Sequence, residues 1–290
     1  MESFSDLNQQ KKYFRDIEIY PYLRDHHLEG KTILPAVESL NVLARAVQAN
    51  YPQRQLTYQQ NAVFHRFLPI APNVKSQPAI IKLELSDDAG IAASLWSLLK
   101  SKTGHISREL EHARVNFINA GLPEFSAPPF PVLRRLKGEC ISIPFSAVYG
   151  DLVPFGPAYQ NIIGDLAISD EGALAYISGG HHEADETFLG SPFPLDAAMH
   201  MACVWGQRFA GVVAFPVGFE KRIIYQKTKK GEEYLGRIVP VSVTSESLIV
   251  DAWIYQEDII CEFINGIKMM DVTRGRVRAP EWIVNSNDTR

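Results

Sequence analysis

The sequence predicts an α+β fold in which a helix followed by antiparallel strands occurs twice. Residues 35–49 place apolar side chains at helical spacing, and residues 194–210 form a second helix candidate that is apolar nearly all round. Between them, residues 121–137 hold four prolines and predict an extended linker. We therefore expect an N-terminal unit over 1–120, a proline-rich linker over 121–137 and a C-terminal unit over 138–290.

Strand-like runs follow each predicted helix. Those after the first helix are 79–85, 92–99 and 108–118. Those after the second helix are 222–229, 234–243, 247–255 and 259–270. The two halves share no sequence identity that we can see, so the repeat is one of architecture, and periodicity alone does not separate it from other α+β folds.

Composition excludes several classes of function. The chain has 290 residues, of which 46% are hydrophobic and 21% charged, as in a globular protein with a real core. Its net charge of −4 gives no global electrostatic case for nucleic acid. Three cysteines without a Cys-x2-Cys pair argue against a disulfide framework or a zinc knuckle. The polar start of the chain and the short apolar runs predict a cytoplasmic protein with no membrane segment.

The first candidate functional residue is a histidine on a turn. Three residues separate His26 from Gly30, four residues separate Gly30 from Pro35, and the first predicted helix follows at once. A histidine held on a turn shaped by glycine and proline, next to a buried helix, is well placed to act as a general base.

The second helix carries a polar pair in apolar surroundings. Asp196 and His200 interrupt its apolar run four residues apart, so they share one face. A carboxylate in such surroundings costs several kcal/mol, roughly, unless it is paired or stays protonated. The alternative is an aspartate stabilised by the helix dipole with a core histidine behind it.

A third stretch, Phe155-Gly156-Pro157-Ala158-Tyr159-Gln160, completes a pattern. In this order, the three motifs resemble those of the dehydratase domains of polyketide synthases and of related polyunsaturated fatty acid synthases. The resemblance covers nearly the whole chain, including a Leu-Pro-Phe-x-Trp-like segment at 215–219. It implies a double hotdog fold, with two central helices each wrapped by an antiparallel sheet. It also implies the removal of water from a β-hydroxyacyl thioester.

The resemblance also implies roles for individual residues. His26 would be the base, Asp196 the acid and His200 the orienting partner of Asp196, while Gly30 and Pro35 would shape the loop of the base. Gly156, Pro157 and Gln160 belong to the third motif.

The chain departs from the family pattern at two places. It has Pro35-Ala36 where the family often has Pro-Gly, and it lacks a tyrosine at Val153. The family's tyrosine hydroxyl near the acid is therefore absent at this position. Either Tyr149 supplies a hydroxyl in its place, or the pocket is drier than in the family.

Two histidines compete for the role of base. Read from His27, the spacing to Pro35 is similar to that of the stand-alone dehydratases of bacterial fatty acid synthesis. The Asp25 flank and the spacing to Gly30 favour His26. His181-His182-Glu183 is predicted to be a solvated loop rather than a metal site.

The resemblance implies a substrate carried as a phosphopantetheine thioester on an acyl carrier protein, with no bound cofactor or metal. It implies a homodimer and further synthase components as partners, while the net charge and the short apolar runs predict no nucleic acid and no membrane as partners. One basic run is either a solvated strand edge or a docking patch for the carrier protein: Lys221, Arg222, Lys227, Lys229 and Lys230.

Two classes of alternative remain open. One is another enzyme on the same fold, namely a cyclase, an isomerase or a thioesterase. The other is a non-catalytic hotdog that binds an acyl chain. The presence of both His26 and Asp196 disfavours the thioesterase and the non-catalytic protein.

Overall fold

In the part of the chain that the structure describes, one antiparallel sheet of twelve strands has two long helices packed against it. The computed structural model describes residues 10–85, 90–100, 107–119, 133–182 and 188–284. The strands of the first half are β1 (Lys11–Glu18), β2 (His27–Leu28), β3 (Lys31–Thr32), β4 (Tyr58–Phe64), β5 (Ser76–Leu85), β6 (Ile91–Lys100) and β7 (Ser107–Phe117). Those of the second half are β8 (Ile141–Ile143), β9 (Ile162–Ser169), β10 (Gly172–Ser178), β11 (Phe215–Ile224), β12 (Glu233–Val243), β13 (Ser247–Gln256) and β14 (Ile259–Met270).

The sheet runs continuously through both halves of the chain. Its strand order is β1-β5-β6-β7-β4-β11-β14-β13-β12-β10-β9-β8, while β2 and β3 form a separate hairpin. The halves meet where β4 pairs with β11, for example Gly218 with Val63 and Arg222 with Gln59. The sequence had predicted a sheet for each half, and the structure joins them because the two edge strands satisfy each other's backbone groups.

Helix α1 (Ala36–Asn50) and helix α2 (Phe193–Phe209) agree with the predicted helices to within one residue. Helix α1 has the amphipathic pattern of a surface helix and buries one face against β5, β6 and β7. Helix α2 is buried from Phe193 to Gln207 and packs against β9 to β13 and against α1. Its position between the sheet and α1 explains why it is apolar nearly all round.

Shorter turns complete the architecture. A 3₁₀ turn at Pro21–Asp25 precedes the first hairpin, and another lies at Pro157–Tyr159. A helical turn at Phe145–Ala147 continues as a π-type turn at Val148–Leu152. Helix α3 (Glu281–Val284) packs against α2. No helix among the described residues is long and apolar enough to cross a membrane.

Two predicted segments need correction. The strand predicted over 222–229 is β11, which begins at Phe215 because Pro216 is accommodated at a register shift in its pairing with β14. Arg222 of the predicted basic run is 2% exposed and forms an ion pair with Glu262 at 2.8 Å, so that run is not a continuous surface. Most of the predicted linker, residues 121–132, lies outside the described residues.

Candidate active site

A tight hairpin holds the candidate base. Strands β2 and β3 are joined by a two-residue turn in which Glu29 has φ +48° and Gly30 has φ +74°. Positive φ at both central residues is the geometry of a type I′ hairpin turn, and glycine adopts it without steric cost. This accounts for Gly30. The hairpin closes where Ile33 N–H donates to the carbonyl of His26 at 3.0 Å, just before Pro35 precedes α1.

The ring of His26 is fixed in one tautomer. Nδ1 lies 3.1 Å from the carbonyl oxygen of Ile33, so Nδ1 carries the hydrogen and the neutral ring keeps a lone pair on Nε2. Burial lowers the pKa of His26 to about 4, against the opposing attraction of Asp196. A histidine with this pKa is neutral near pH 7, which is the form that accepts a proton.

The candidate acid lies on the first turn of α2. Asp196 and His200 are each 5% exposed, and Asp196 Oδ2 lies 3.1 Å from His200 Nε2. These atoms are close enough for an ion pair, but their orientation does not give an aligned hydrogen bond. Nδ1 of His200 also has no hydrogen-bond partner in the described part of the chain. Buried polar atoms with unused hydrogen-bonding capacity are costly in a core and are typical of functional sites.

Phe155 of the third motif packs between the two candidate groups. Its ring stacks on His26 with centroids 4.3 Å apart and lies 5.1 Å from the ring of His200. The sequence marked Phe155 only as part of a motif, because stacking between residues far apart in the chain leaves no local pattern.

The third motif is bound to the flank of the base. Gly156 N–H donates to the carbonyl of Asp25 at 2.8 Å, and Ala158 N–H donates to its carboxylate at 2.9 Å. A Cβ on residue 156 would lie 2.6 Å from the Asp25 side chain, which explains the glycine. Gln160 donates to the carbonyl of Phe155 at 2.8 Å, and Pro157 opens the 3₁₀ turn. These contacts fix Phe155 against His26.

Tyr149 occupies a supporting position. Its hydroxyl accepts the N–H of Ile162 at 2.9 Å, and its ring meets the ring of His200 edge-on at 5.9 Å. Burial raises the pKa of Tyr149 well above its usual value, so the hydroxyl keeps its proton. The hydroxyl that the sequence predicted near the acid is therefore bound to the backbone of β9. Val153 lines the cavity with an apolar side chain at the position where the family has a tyrosine.

A cavity of about 570 Å³ brings these residues together. His26 from the first half and Asp196 and His200 from the second half all line it. Phe215, Pro216 and Val217, from the segment predicted at 215–219, line it as well. The segment that follows β14 covers part of the cavity with Val272 and Val277, and Arg276 ties it to the base hairpin through Glu29 at 2.9 Å.

Glu38 is a buried carboxyl that the sequence did not single out. It lies on α1, 7% exposed, where it accepts hydrogen bonds from Tyr22 at 3.0 Å and Asn41 at 3.3 Å. The pKa of Glu38 is raised to about 7, chiefly by burial and in smaller part by the negative charge of the nearby Asp196. Tyr159 stands beside Glu38 and meets the ring of His26 edge-on, with the two ring centroids 5.1 Å apart. One glutamate on an amphipathic helix normally faces solvent, so the sequence held no signal for its burial.

The other histidines are placed differently. His27 is exposed at the mouth of the cavity, with Nδ1 3.1 Å from the carbonyl of Asp25. His182 packs against Tyr22 at 5.5 Å, while Glu183 lies outside the described residues. Within the described ranges, no cluster of histidine, cysteine, aspartate and glutamate has the geometry to hold a metal ion.

Comparisons by sequence and by structure give different results. No family model and no curated protein matches the chain by sequence. Solved structures do match. A trans-AT polyketide synthase dehydratase domain from Brevibacillus brevis has a TM-score of 0.69 at 17% identity, covering 90% of this chain and 93% of that one. The dehydratase domain from the CurJ module of curacin polyketide synthase has a TM-score of 0.72 at 13% identity, covering 93% of each chain.

A third match is a monomeric dehydratase domain from a split module of a trans-AT polyketide synthase. It has a TM-score of 0.69 at 12% identity and covers 90% of this chain and 99% of that one. At these identities the likeness is one of fold. The protein therefore has the fold of polyketide synthase dehydratase domains, as the three motifs predicted.

Proposed function

We propose that this protein is a double hotdog dehydratase that removes water from a β-hydroxyacyl thioester carried on an acyl carrier protein. The observation that carries the proposal is the shared cavity, where His26 from the first half faces the same space as Asp196 from the second. The fold supports it, because the similar solved structures named above are dehydratase domains of polyketide synthases. The packing of α1 on β5–β7 and of α2 on β9–β13 supports the double hotdog layout.

The proposed chemistry divides between two side chains. Nε2 of His26 removes the proton α to the thioester carbonyl, and the electron pair of that C–H bond forms the Cα–Cβ double bond. The Cβ–O bond breaks, and the hydroxyl leaves as water with a proton from Asp196. The low pKa of His26 supports the first role, because a neutral imidazole is needed.

The acid role belongs to Asp196, with His200 as its orienting partner. The 3.1 Å approach of Asp196 Oδ2 to His200 Nε2 supports this, because it places the imidazole directly against the carboxyl. Edge contact from Tyr149 and ring contact from Phe155 fix the position of His200. His26 takes up one proton and Asp196 supplies one, and the reaction changes no oxidation state. The proposed mechanism therefore needs no cofactor or metal.

The remaining parts of the proposal concern partners and compartment. An acyl carrier protein delivers the thioester, further synthase components supply and consume the chain, and the protein acts as a cytoplasmic homodimer. Free cysteines at Cys140, Cys203 and Cys261 support a reducing compartment. One of the similar structures is described as monomeric, so the fold does not by itself require the dimer.

Incubation of the purified protein with 3-hydroxybutyryl pantetheine thioester tests the function. Mass spectrometry should show the loss of one water with the thioester intact, and the reverse reaction should hydrate the crotonyl thioester. Release of free pantetheine would indicate a thioesterase. A cyclic product would indicate a cyclase, and an isomerised product would indicate an isomerase. Binding of the thioester without turnover would indicate a non-catalytic acyl-binding protein.

A further inference from the structure

The cavity has one polar end and one apolar end. The polar end is exposed and carries His27, Glu29, His65 and Arg66. The apolar end is lined by buried side chains, which are Leu152, Met199, Cys203, Val213, Ala214 and Met269. His26 adjoins the exposed His27, and Asp196 precedes Cys203 along α2. A thioester on a carrier protein enters from the exposed end, so the rest of its acyl chain extends into the apolar end.

Helix α2 forms one wall along this path. Asp196, His200 and Cys203 stand at positions i, i+4 and i+7, which share one face, and all three line the cavity. Cys203 is the last residue of α2 that does so. Seven residues at about 1.5 Å each place the level of Cys203 about 10.5 Å beyond that of Asp196.

The lining that α2 supplies ends at Cys203, which we take as the closed end of the cavity. Gln207, one turn further, is 1% exposed and does not line it. Its amide donates to the carbonyl of Leu152 at 3.0 Å and contacts Cys203 Sγ at 3.5 Å. The hydrogen bond from Gln207 to Leu152 joins α2 to the turn at Val148–Leu152. It also engages the side-chain amide of Gln207, which is the polar group nearest the closed end.

We propose that this apolar end binds an unsubstituted hydrocarbon tail of up to about eight carbons beyond C3, with Cys203 setting the limit. The inference rests on the proposed function. A C–C bond of about 1.52 Å advances an extended chain by about 1.25 Å, so the distance of about 10.5 Å along α2 accommodates about eight bonds. The preferred substrate is therefore a medium-chain 3-hydroxyacyl thioester of fatty-acyl type.

The lining chemistry excludes an oxygenated tail. Among the six buried lining residues of the apolar end, only Cys203 carries a polar group, its thiol. A hydroxyl buried there without a strong partner costs the binding of the substrate about 5- to 150-fold. A chain that carries oxygen at alternate carbons is disfavoured for the same reason.

The test compares kcat/KM for 3-hydroxybutyryl, 3-hydroxydecanoyl and 3-hydroxyhexadecanoyl pantetheine thioesters. For the wild type, kcat/KM should be highest with the decanoyl chain. It should also be about tenfold or more higher with the decanoyl chain than with a 3,9-dihydroxydecanoyl chain. Cys203→Leu should lower the decanoyl-to-butyryl ratio by about 10- to 200-fold, since added methylenes clash with the tail. Cys203→Ala should extend the range to longer chains.

Two features of the design keep the outcomes separate. Cys140→Leu makes the same change at an exposed cysteine away from the cavity and should keep the wild-type ratio. If Cys203→Leu does not fold, Cys203→Val takes its place with a smaller shift in the same direction. Equal turnover of decanoyl and hexadecanoyl chains, or a ratio unchanged in a folded Cys203 variant, would overturn the length limit. A wild type that dehydrates none of the thioesters would overturn the proposed function as well.

Discussion

The pH dependence of stability offers a test of the neutral His26 that needs no substrate. Its folded-state pKa of about 4 lies below the usual value of 6.5, chiefly because the ring is buried. The unfolded chain therefore binds a proton at this residue near pH 6 while the folded chain does not. By linkage, this group costs the folded state free energy as pH falls from about 6.5 to about 4. The cost is about 1 kcal/mol at pH 5.5 and about 2–3 kcal/mol at pH 4.5.

The perturbation is His26→Asn, which removes the titrating ring and keeps an N–H for the carbonyl of Ile33. Urea unfolding of both proteins at pH 7.5, 5.5 and 4.5 gives the difference in free energy of unfolding at each pH. Other groups change little between the two proteins, so the difference reports this ring and its neighbours Asp196, His200 and His27. As pH falls from 7.5 to 4.5, the free energy of unfolding of the variant should rise by about 2–3 kcal/mol relative to that of the wild type. A constant difference would show that the folded ring is protonated as readily as the unfolded one, which would refute the reasoning.

Two further variants and one mass measurement test other parts of the account. His27→Ala should keep most of the dehydratase activity because the ring is exposed at the mouth, and loss of turnover as large as that of His26→Ala would move the base to His27. The pKa of Glu38 is raised to about 7, so its favourable contribution to folding is lost as pH rises through that value. Between pH 5 and pH 8, the free energy of unfolding of Glu38→Gln should therefore rise by about 2–3 kcal/mol relative to that of the wild type. Urea unfolding measures this difference, and parallel pH profiles of the two proteins would contradict it. Light scattering at micromolar concentration should give the mass of a homodimer of the 32.5 kDa chain, and a monomer mass would count against the proposed assembly.

Local pattern was enough to predict the two helices but not all the strands. Helices α1 and α2 have long periodic or apolar runs, and both were predicted to within one residue. Strand β1 was missed because it is an edge strand with the sequence KKYFRDIE, whose charged side chains hide the alternation. Strands β9 and β10 each carry a glycine, and a register shift interrupts their pairing, so neither shows a regular period of two.

The candidate site was predicted only as separate motifs. The His26 turn and the Asp196–His200 face are local patterns, so the sequence identified both. Their common cavity, the stacking of Phe155 on His26 and the burial of Glu38 are tertiary contacts that no local pattern encodes. The resemblance to polyketide synthase dehydratases linked the two motifs, and the structure adds the geometry.

The most direct test of the account is the turnover of two single-residue variants in the 3-hydroxybutyryl thioester assay. His26→Ala removes the base, and Asp196→Asn keeps the shape of the acid but removes its transferable proton. Each should lower dehydration by about 10²–10⁴-fold, while the protein stays folded and Asp196→Asn still binds the substrate. Full turnover by a folded Asp196→Asn protein would contradict the claim that the two halves supply the base and the acid of one site.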